Sequence, residues 1–245
     1  MKILRLVISL VTSTTFSSAA IAGEENWTGV YAGVYTGINS TTTTGNDYYC
    51  WMLCSVPNLA TTDPALGATV GVNVQVADGL VLGVEADAGS GGEATTHIVR
   101  ATSGYTPELA WDAKVRKQAT VRARVGITGK NGVAYVTAGA AFADYKVTAQ
   151  SGPASWADGT PGANWGNRWE DTVSGIVYGA GVEHRFGRVS LKFEVLHSEF
   201  GARGGCNMDF DGPTAGQCWN YARPSFPPSY RPEVTSVRLG ANFHF

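Results

Sequence analysis

Along much of this chain apolar and polar residues alternate one for one, the period of a sheet whose two faces meet different surroundings. The last segment, Val234 to Phe245, is strict: Thr235, Val237, Leu239, Ala241, Phe243 and Phe245 share one face, while Ser236, Arg238, Gly240, Asn242 and His244 share the other. In Leu66 to Val76, six apolar residues oppose Gly67, Thr69, Gly71, Asn73 and Gln75. Asp78-Gly79 then predicts a tight turn into Leu80 to Ala88, as such pairs do in hairpins. Further alternating segments run over Trp27 to Ile38, Ala113 to Ile127, Val133 to Lys146, Val173 to His184 and Val189 to Ser198. Eight strands are predicted.

The connections between them differ in length by parity. Those after the second, fourth and sixth strands are a few residues long. Those after the first, third, fifth and seventh run to about twenty or thirty residues, well past ordinary loop lengths. A soluble β-sandwich would also alternate, but it would neither sort its loops this way nor put small and apolar residues on one face of every strand. A barrel crossing a membrane does both, because each strand touches hydrocarbon on one side only. The expectation is an all-β fold: an eight-stranded antiparallel up-and-down transmembrane β-barrel with four long extracellular loops and both termini periplasmic, in a bacterial outer membrane.

Composition sharpens this picture. Lys2 and Arg5, the modestly apolar Leu6 to Phe16, and Ala20-Ile21-Ala22 read as the n-region, h-region and cleavage site of a signal peptide over residues 1–22. Residues 23–245 are then the barrel domain. No later stretch offers the apolar run that a spanning helix needs. A net charge of −2 argues against a nucleic-acid partner. In an exported protein Cys50, Cys54, Cys206 and Cys218 are disulfide candidates, with two local pairs favoured and three pairings open. The absence of a His at ligand spacing speaks against a metal site there, and no cofactor is expected.

Strand parity points eight charges inward: Glu85, Asp87, Glu183 and Glu194 against Arg122, Arg124, Lys192 and Arg238. They suit either a constriction that filters ions or a plug of paired charges, and the narrow interior of eight strands favours the plug. Lys114 and Arg116 are expected higher in the lumen, lining a small anion-leaning vestibule. His197-Ser198-Glu199 has the residue types of a hydrolase. Neighbours on a strand point to opposite faces, however, so His197 and Ser198 should not share a hydrogen bond. Trp51, Trp111, Trp156, Trp165, Trp169 and Trp219 fall in or beside the loops and fit an interfacial girdle better than a ligand platform. His97, alone in an external loop, is weak support for haem.

Several pieces, taken in order, carry a resemblance. They are Trp27 to Gly33, Leu82 to Asp87, Val121 to Gly126, Gly179 to Glu183, Ser190 to Glu194 and Val237 to Phe243. The chain resembles the small outer-membrane β-barrel proteins of the porin or opacity type, in particular alphaproteobacterial surface antigens. That resemblance implies delivery by periplasmic chaperones and insertion by the barrel assembly machinery, which reads a terminal aromatic strand, here with Phe243 and Phe245. It implies roles in envelope integrity, adhesion, immune exposure and, in some members, haem binding. Since the chain stops at the barrel, no peptidoglycan-binding domain is expected after it. The cysteine-bearing loops and the Pro-rich stretch Arg223 to Pro232 depart from the common pattern. The function expected is a structural, non-enzymatic outer-membrane protein in contact with lipid, displaying surface loops. The alternatives are a small-solute channel or a loop-borne module for a host or envelope ligand.

Overall fold

Alternation dictates strands, and the computed structural model, which describes residues 26–46, 56–90, 95–100, 108–151, 165–204, 206–209 and 229–245, is built of them. In chain order they are β1 (Gly29–Asn46), β2 (Val56–Ala77), β3 (Leu80–Ser90), β4 (Thr95–Arg100), β5 (Glu108–Thr128), β6 (Gly132–Ser151), β7 (Trp165–Phe186), β8 (Val189–Phe200), β9 (Arg203–Gly204), β10 (Cys206–Asp209) and β11 (Ser229–His244). Eight of them form the wall in the order β1-β2-β3-β5-β6-β7-β8-β11, and β11 pairs back onto β1. That closing seam runs from Tyr31 opposite His244 to Asn46 opposite Ser229. Every neighbouring pair in the wall is antiparallel, so the backbone polar groups of the wall are satisfied within the sheet, as a lipid-embedded structure requires. The short strands β4, β10 and β9 extend the wall beside β5, β7 and β11.

The outward residues of the lower wall form a continuous apolar band. Val34, Leu66, Ile127 and Leu239 are each more than 60% exposed, with Val72, Val84, Val125, Val136, Ile176 and Leu191 between them. In water such a surface would be an aggregation hazard; against hydrocarbon it is the favourable one. At the end of the band that carries the tight turns, Gly79 takes φ +81 in the β2–β3 turn. An L-side chain rarely adopts that region, and glycine enters it without steric cost.

The strands run further than alternation alone predicts. β2 starts at Val56 and not Leu66, β7 at Trp165 and not Val173, and β1 and β6 continue to Asn46 and Ser151. The connections expected to be longest are correspondingly shorter. The physical reason is an inversion of sidedness. Past the apolar band, Val115, Tyr145, Val147, Val173, Tyr230 and Val234 point inward and are buried. The residues pointing outward there are polar, among them Arg116, Asp144, Glu170 and Thr172. Above the membrane the wall is built like a soluble barrel, with its apolar side within.

On β6, β7 and β11 the inward parity is unbroken and the residue types change, whereas on β5 a β-bulge makes the change of side. Val115 stands opposite Tyr145 and Lys117 opposite Asp144, leaving Arg116 as the extra residue. Arg116 and Lys117 are both exposed, and Val115 is buried. The vestibule expected from Lys114 and Arg116 is therefore corrected. One inserted residue reverses the parity above it, so Arg116 turns outward and Lys114, between the buried Ala113 and Val115, does too.

Candidate functional site

The lower half of the lumen holds the charged residues. The inward faces of β3, β5, β7, β8 and β11 carry Glu85, Asp87, Arg122, Arg124, Glu183, Lys192, Glu194 and Arg238, none more than 6% exposed. Arg122 lies at the centre. Its Nη2 donates to Glu85 Oε1 at 2.5 Å and to Asp87 Oδ2 at 3.0 Å, and its Nη1 to Glu194 Oε1 at 2.9 Å. Arg124 reaches Glu183 at 2.9 Å and Glu85 at 3.5 Å. Lys192 donates to both oxygens of Glu85 at 2.9 Å, and Arg238 to Asp87 Oδ1 at 2.9 Å.

Several of these pairs cross the lumen. Glu183 and Lys192 are register neighbours on β7 and β8. Lys192 nevertheless pairs with Glu85 on β3, while Glu183 accepts from Arg124, from Ser190 at 2.5 Å and from Asn242 at 2.8 Å. Arg238 likewise stands beside Glu194 in register but bonds Asp87. Neighbouring positions are separated by the twist of the wall, and long side chains find better geometry across a narrow interior. The result is one connected layer spanning the cylinder. In so dry a setting charges persist only when paired. Here every charge of the layer has an opposite partner, although the Nε atoms of Arg122, Arg124 and Arg238 are left without a hydrogen bond.

Neutral residues that parity did not single out complete the layer. Tyr31 donates to Glu85 at 2.7 Å and accepts from Arg124 at 3.0 Å. Tyr135 donates to Glu194 at 3.0 Å, and its ring carries the Arg124 guanidinium 3.9 Å from its centroid. Arg238 lies 4.3 Å above Tyr35 in the same way, a favourable contact for a cation in a dry site. Thr120 donates to Asp87. The sequence holds a signal for the tyrosines: Tyr31 and Tyr35 alternate with inward glycines on β1, and their rings lie over Gly71 and Gly67 of β2, where a Cβ would collide with them.

The ends of the lumen are filled as well. Below the ionic layer, Trp27 is fully buried, meets His244 edge-on at 5.9 Å and lies under Arg185 at 5.9 Å. Above it, Leu59, Val115, Tyr145, Val177, Leu196, Phe200, Tyr230 and Val234 form an apolar tier, with Tyr145 donating to Thr43 at 3.1 Å.

The remaining candidates fall elsewhere. His197 faces outward, 2.9 Å from Thr235 Oγ1 and 5.4 Å from the Tyr178 ring. Ser198 faces inward and accepts from Gln118 at 3.1 Å. No hydrogen bond joins the two, and a nucleophile needs its base within reach. Phe243 and Phe245 point outward, edge to face at 5.3 Å. Cys50, Cys54 and Cys218 lie outside the described residues, as do residues 1–22, Trp51, Trp156 and Trp219; Cys206, His97, Trp111, Trp165 and Trp169 are described as backbone only.

A closed antiparallel cylinder with an apolar outer belt and a filled, ion-paired interior is a membrane-spanning β-barrel. The chain belongs to the outer membrane protein beta-barrel domain family, whose model matches residues 8–221, and this fold resides in the bacterial outer membrane. No curated protein sequence matches the chain. Among solved structures it is similar to Ail, the attachment invasion locus protein of Yersinia pestis, at 11% identity over 89% of this chain and 99% of that one, with a TM-score of 0.40. It is similar to the outer membrane protease OmpT from Escherichia coli at 10% identity over 94% and 100%, with a TM-score of 0.47. The outer membrane protein OprG from Pseudomonas aeruginosa matches at 11% identity over 90% and 98%, also with a TM-score of 0.47.

Proposed function

We propose that this protein is a structural barrel of the outer membrane that holds loops at the cell surface on a wall closed to solutes. The observation that carries this reading is the ionic layer across the lumen. Eight strands leave an interior that side chains can fill, and here buried, mutually paired charges fill it. An ion passing through would have to separate several pairs, and breaking one buried pair costs about 3–5 kcal/mol. Loop parity supports an orientation with both ends of the barrel in the periplasm: the short β2–β3, β5–β6 and β7–β8 turns lie at the end where the barrel's first and last strands begin and finish, which in such barrels is the periplasmic one.

The same reading gives the remaining parts their roles. Cys50 with Cys54 and Cys206 with Cys218 would staple the loops outside the cell, where disulfides persist. The exposed Phe243 and Phe245 would be read by periplasmic chaperones and the assembly machinery. A non-enzymatic role is supported by β8, which turns His197 and Ser198 to opposite sides of the wall.

The test is electrical. Refolded protein in a planar bilayer should give no discrete openings, and stepwise conductance from the unaltered chain would overturn the closed-wall reading. A carboxy-terminal tag should stay hidden on intact cells and become accessible once the outer membrane is permeabilised.

A further inference from the structure

On the outer face of the wall, among the described residues, charge and grease meet in a hollow. Where β3, β5 and β6 pass out of the apolar belt, a crevice of about 610 Å³ opens in the wall. Ala88, Ala119 and Phe142 supply its apolar lining, Arg116 and Lys117 its cations, and Asp144, opposite Lys117 in register, one carboxylate. The bulge creates it: two consecutive cations face outward together only because the extra residue breaks the alternation.

The charges around it are unevenly matched. The solvent-facing charges at this level on β5 to β7 are Lys114, Arg116, Lys117 and Lys146, against Asp144, Glu170 and Asp171. Glu170 is taken by Arg116 at 2.6 Å and more loosely by Lys146 at 3.8 Å. Asp144 accepts from Thr172 at 3.1 Å. Among the described residues Lys114 and Lys117 have no ion-pair partner, and Lys114 stands opposite another cation, Lys146, in register. Across the barrel the same level is acidic, with Glu199 beside Glu233. The charge on this side of the collar is positive by one, and Lys114 and Lys117, the two lysines without an ion pair there, both lie on β5. That charge lies at the edge of the apolar belt, directly above side chains that suit an acyl chain.

We infer that this crevice binds one phosphorylated glycolipid of the outer leaflet, an acyl chain resting on Ala88, Ala119 and Phe142 and a phosphate held between Arg116 and Lys117. Two rows of cations, Arg116 with Lys117 and Lys114 with Lys146, suit a headgroup bearing more than one phosphate, and a guanidinium matches phosphate geometry directly. The assignment to the outer leaflet rests on the orientation proposed above; the binding itself does not.

Native mass spectrometry of the refolded full chain in neutral detergent tests it, with diphosphoryl lipid A, phosphatidylglycerol and phosphatidylcholine as probes. One lipid A molecule should be retained in preference to the other two. Arg116→Glu combined with Lys117→Glu should cut that retention by roughly tenfold, the loss expected when a site's phosphate-binding cations are reversed. Lys130→Glu, in the turn at the opposite end, should leave it unchanged. Equal retention by the double variant, or phosphatidylglycerol binding as well as lipid A, would overturn the assignment. Heat-modifiable migration of each sample reports that the barrel is folded. Because the measurement is made in detergent, a carboxy-terminal tag exposed on intact cells would refute the orientation without touching this result.

Discussion

Arg122 and Arg116 sit six residues apart on β5 and show how differently one residue type can act. Arg122 is buried and answers three carboxylates, Glu85, Asp87 and Glu194. Arg116 is nearly half exposed, and so is its partner Glu170. Arg122→Met leaves several acids in a dry interior with their main cation gone, so urea unfolding of the refolded barrel should lose about 3–5 kcal/mol. Arg116→Met removes a solvent-screened pair and should cost under about 1 kcal/mol. Equal losses would mean that the lumen is wet and the layer loosely held. Parity along the strands was enough to turn all eight lumen charges inward, because a strand's side chains alternate whatever their neighbours do. It could not assign their partners: Lys192 bypasses Glu183 for Glu85 because the choice depends on distances across the cylinder, which no single strand records.

At the scale of the strand, the lesson lies in what ends an alternating pattern. Apolar-out alternation marks Val121 to Ile127 because hydrocarbon selects it. It stops at Lys117, where the outer surroundings become polar, yet β5 continues to Glu108 at its far end. Beyond the belt the code reads apolar-in, and a reader looking for grease on the outer face takes those residues for loop. The vestibule expected from Lys114 and Arg116 failed for a related reason: a bulge adds one residue without leaving a turn signal in the chain. Its consequence is testable by deletion. Removing Arg116 restores regular alternation and leaves Val115 inward and Lys117 outward, so this variant should refold and keep its heat-modifiable migration. Removing Ala119 instead would also use up the extra residue, but it would swing Gln118 into lipid and turn Lys117 into the lumen. That variant should fail to refold, and if it migrates like the parent the bulge is not what sets sidedness.

For the molecule as a whole, the closed-wall reading has the two tiers of the lumen act in series. The lower tier would exclude ions by presenting paired charges that will not separate. The upper tier, from Val115 and Tyr145 to Tyr230 and Val234, would exclude them by a mostly apolar lining in which the Tyr145 hydroxyl is bonded to Thr43. A pathway blocked twice opens only when both blocks are breached. Glu85→Ala with Arg122→Ala loosens the ionic layer, and Tyr145→Ala with Tyr230→Ala hollows the apolar one, each buried aromatic truncation costing about 3–5 kcal/mol by the general behaviour of cores. In planar bilayers each pair alone should stay silent, and the four substitutions combined should give discrete openings, with heat-modifiable migration checking that every variant is still a barrel. Conductance from the Glu85 and Arg122 pair alone would show that the ionic layer is the sole seal and that the apolar tier above it leaves a water path. Silence in the combined variant, with the barrel intact, would place the seal at Trp27, which closes the opposite end of the cylinder against His244 and Arg185.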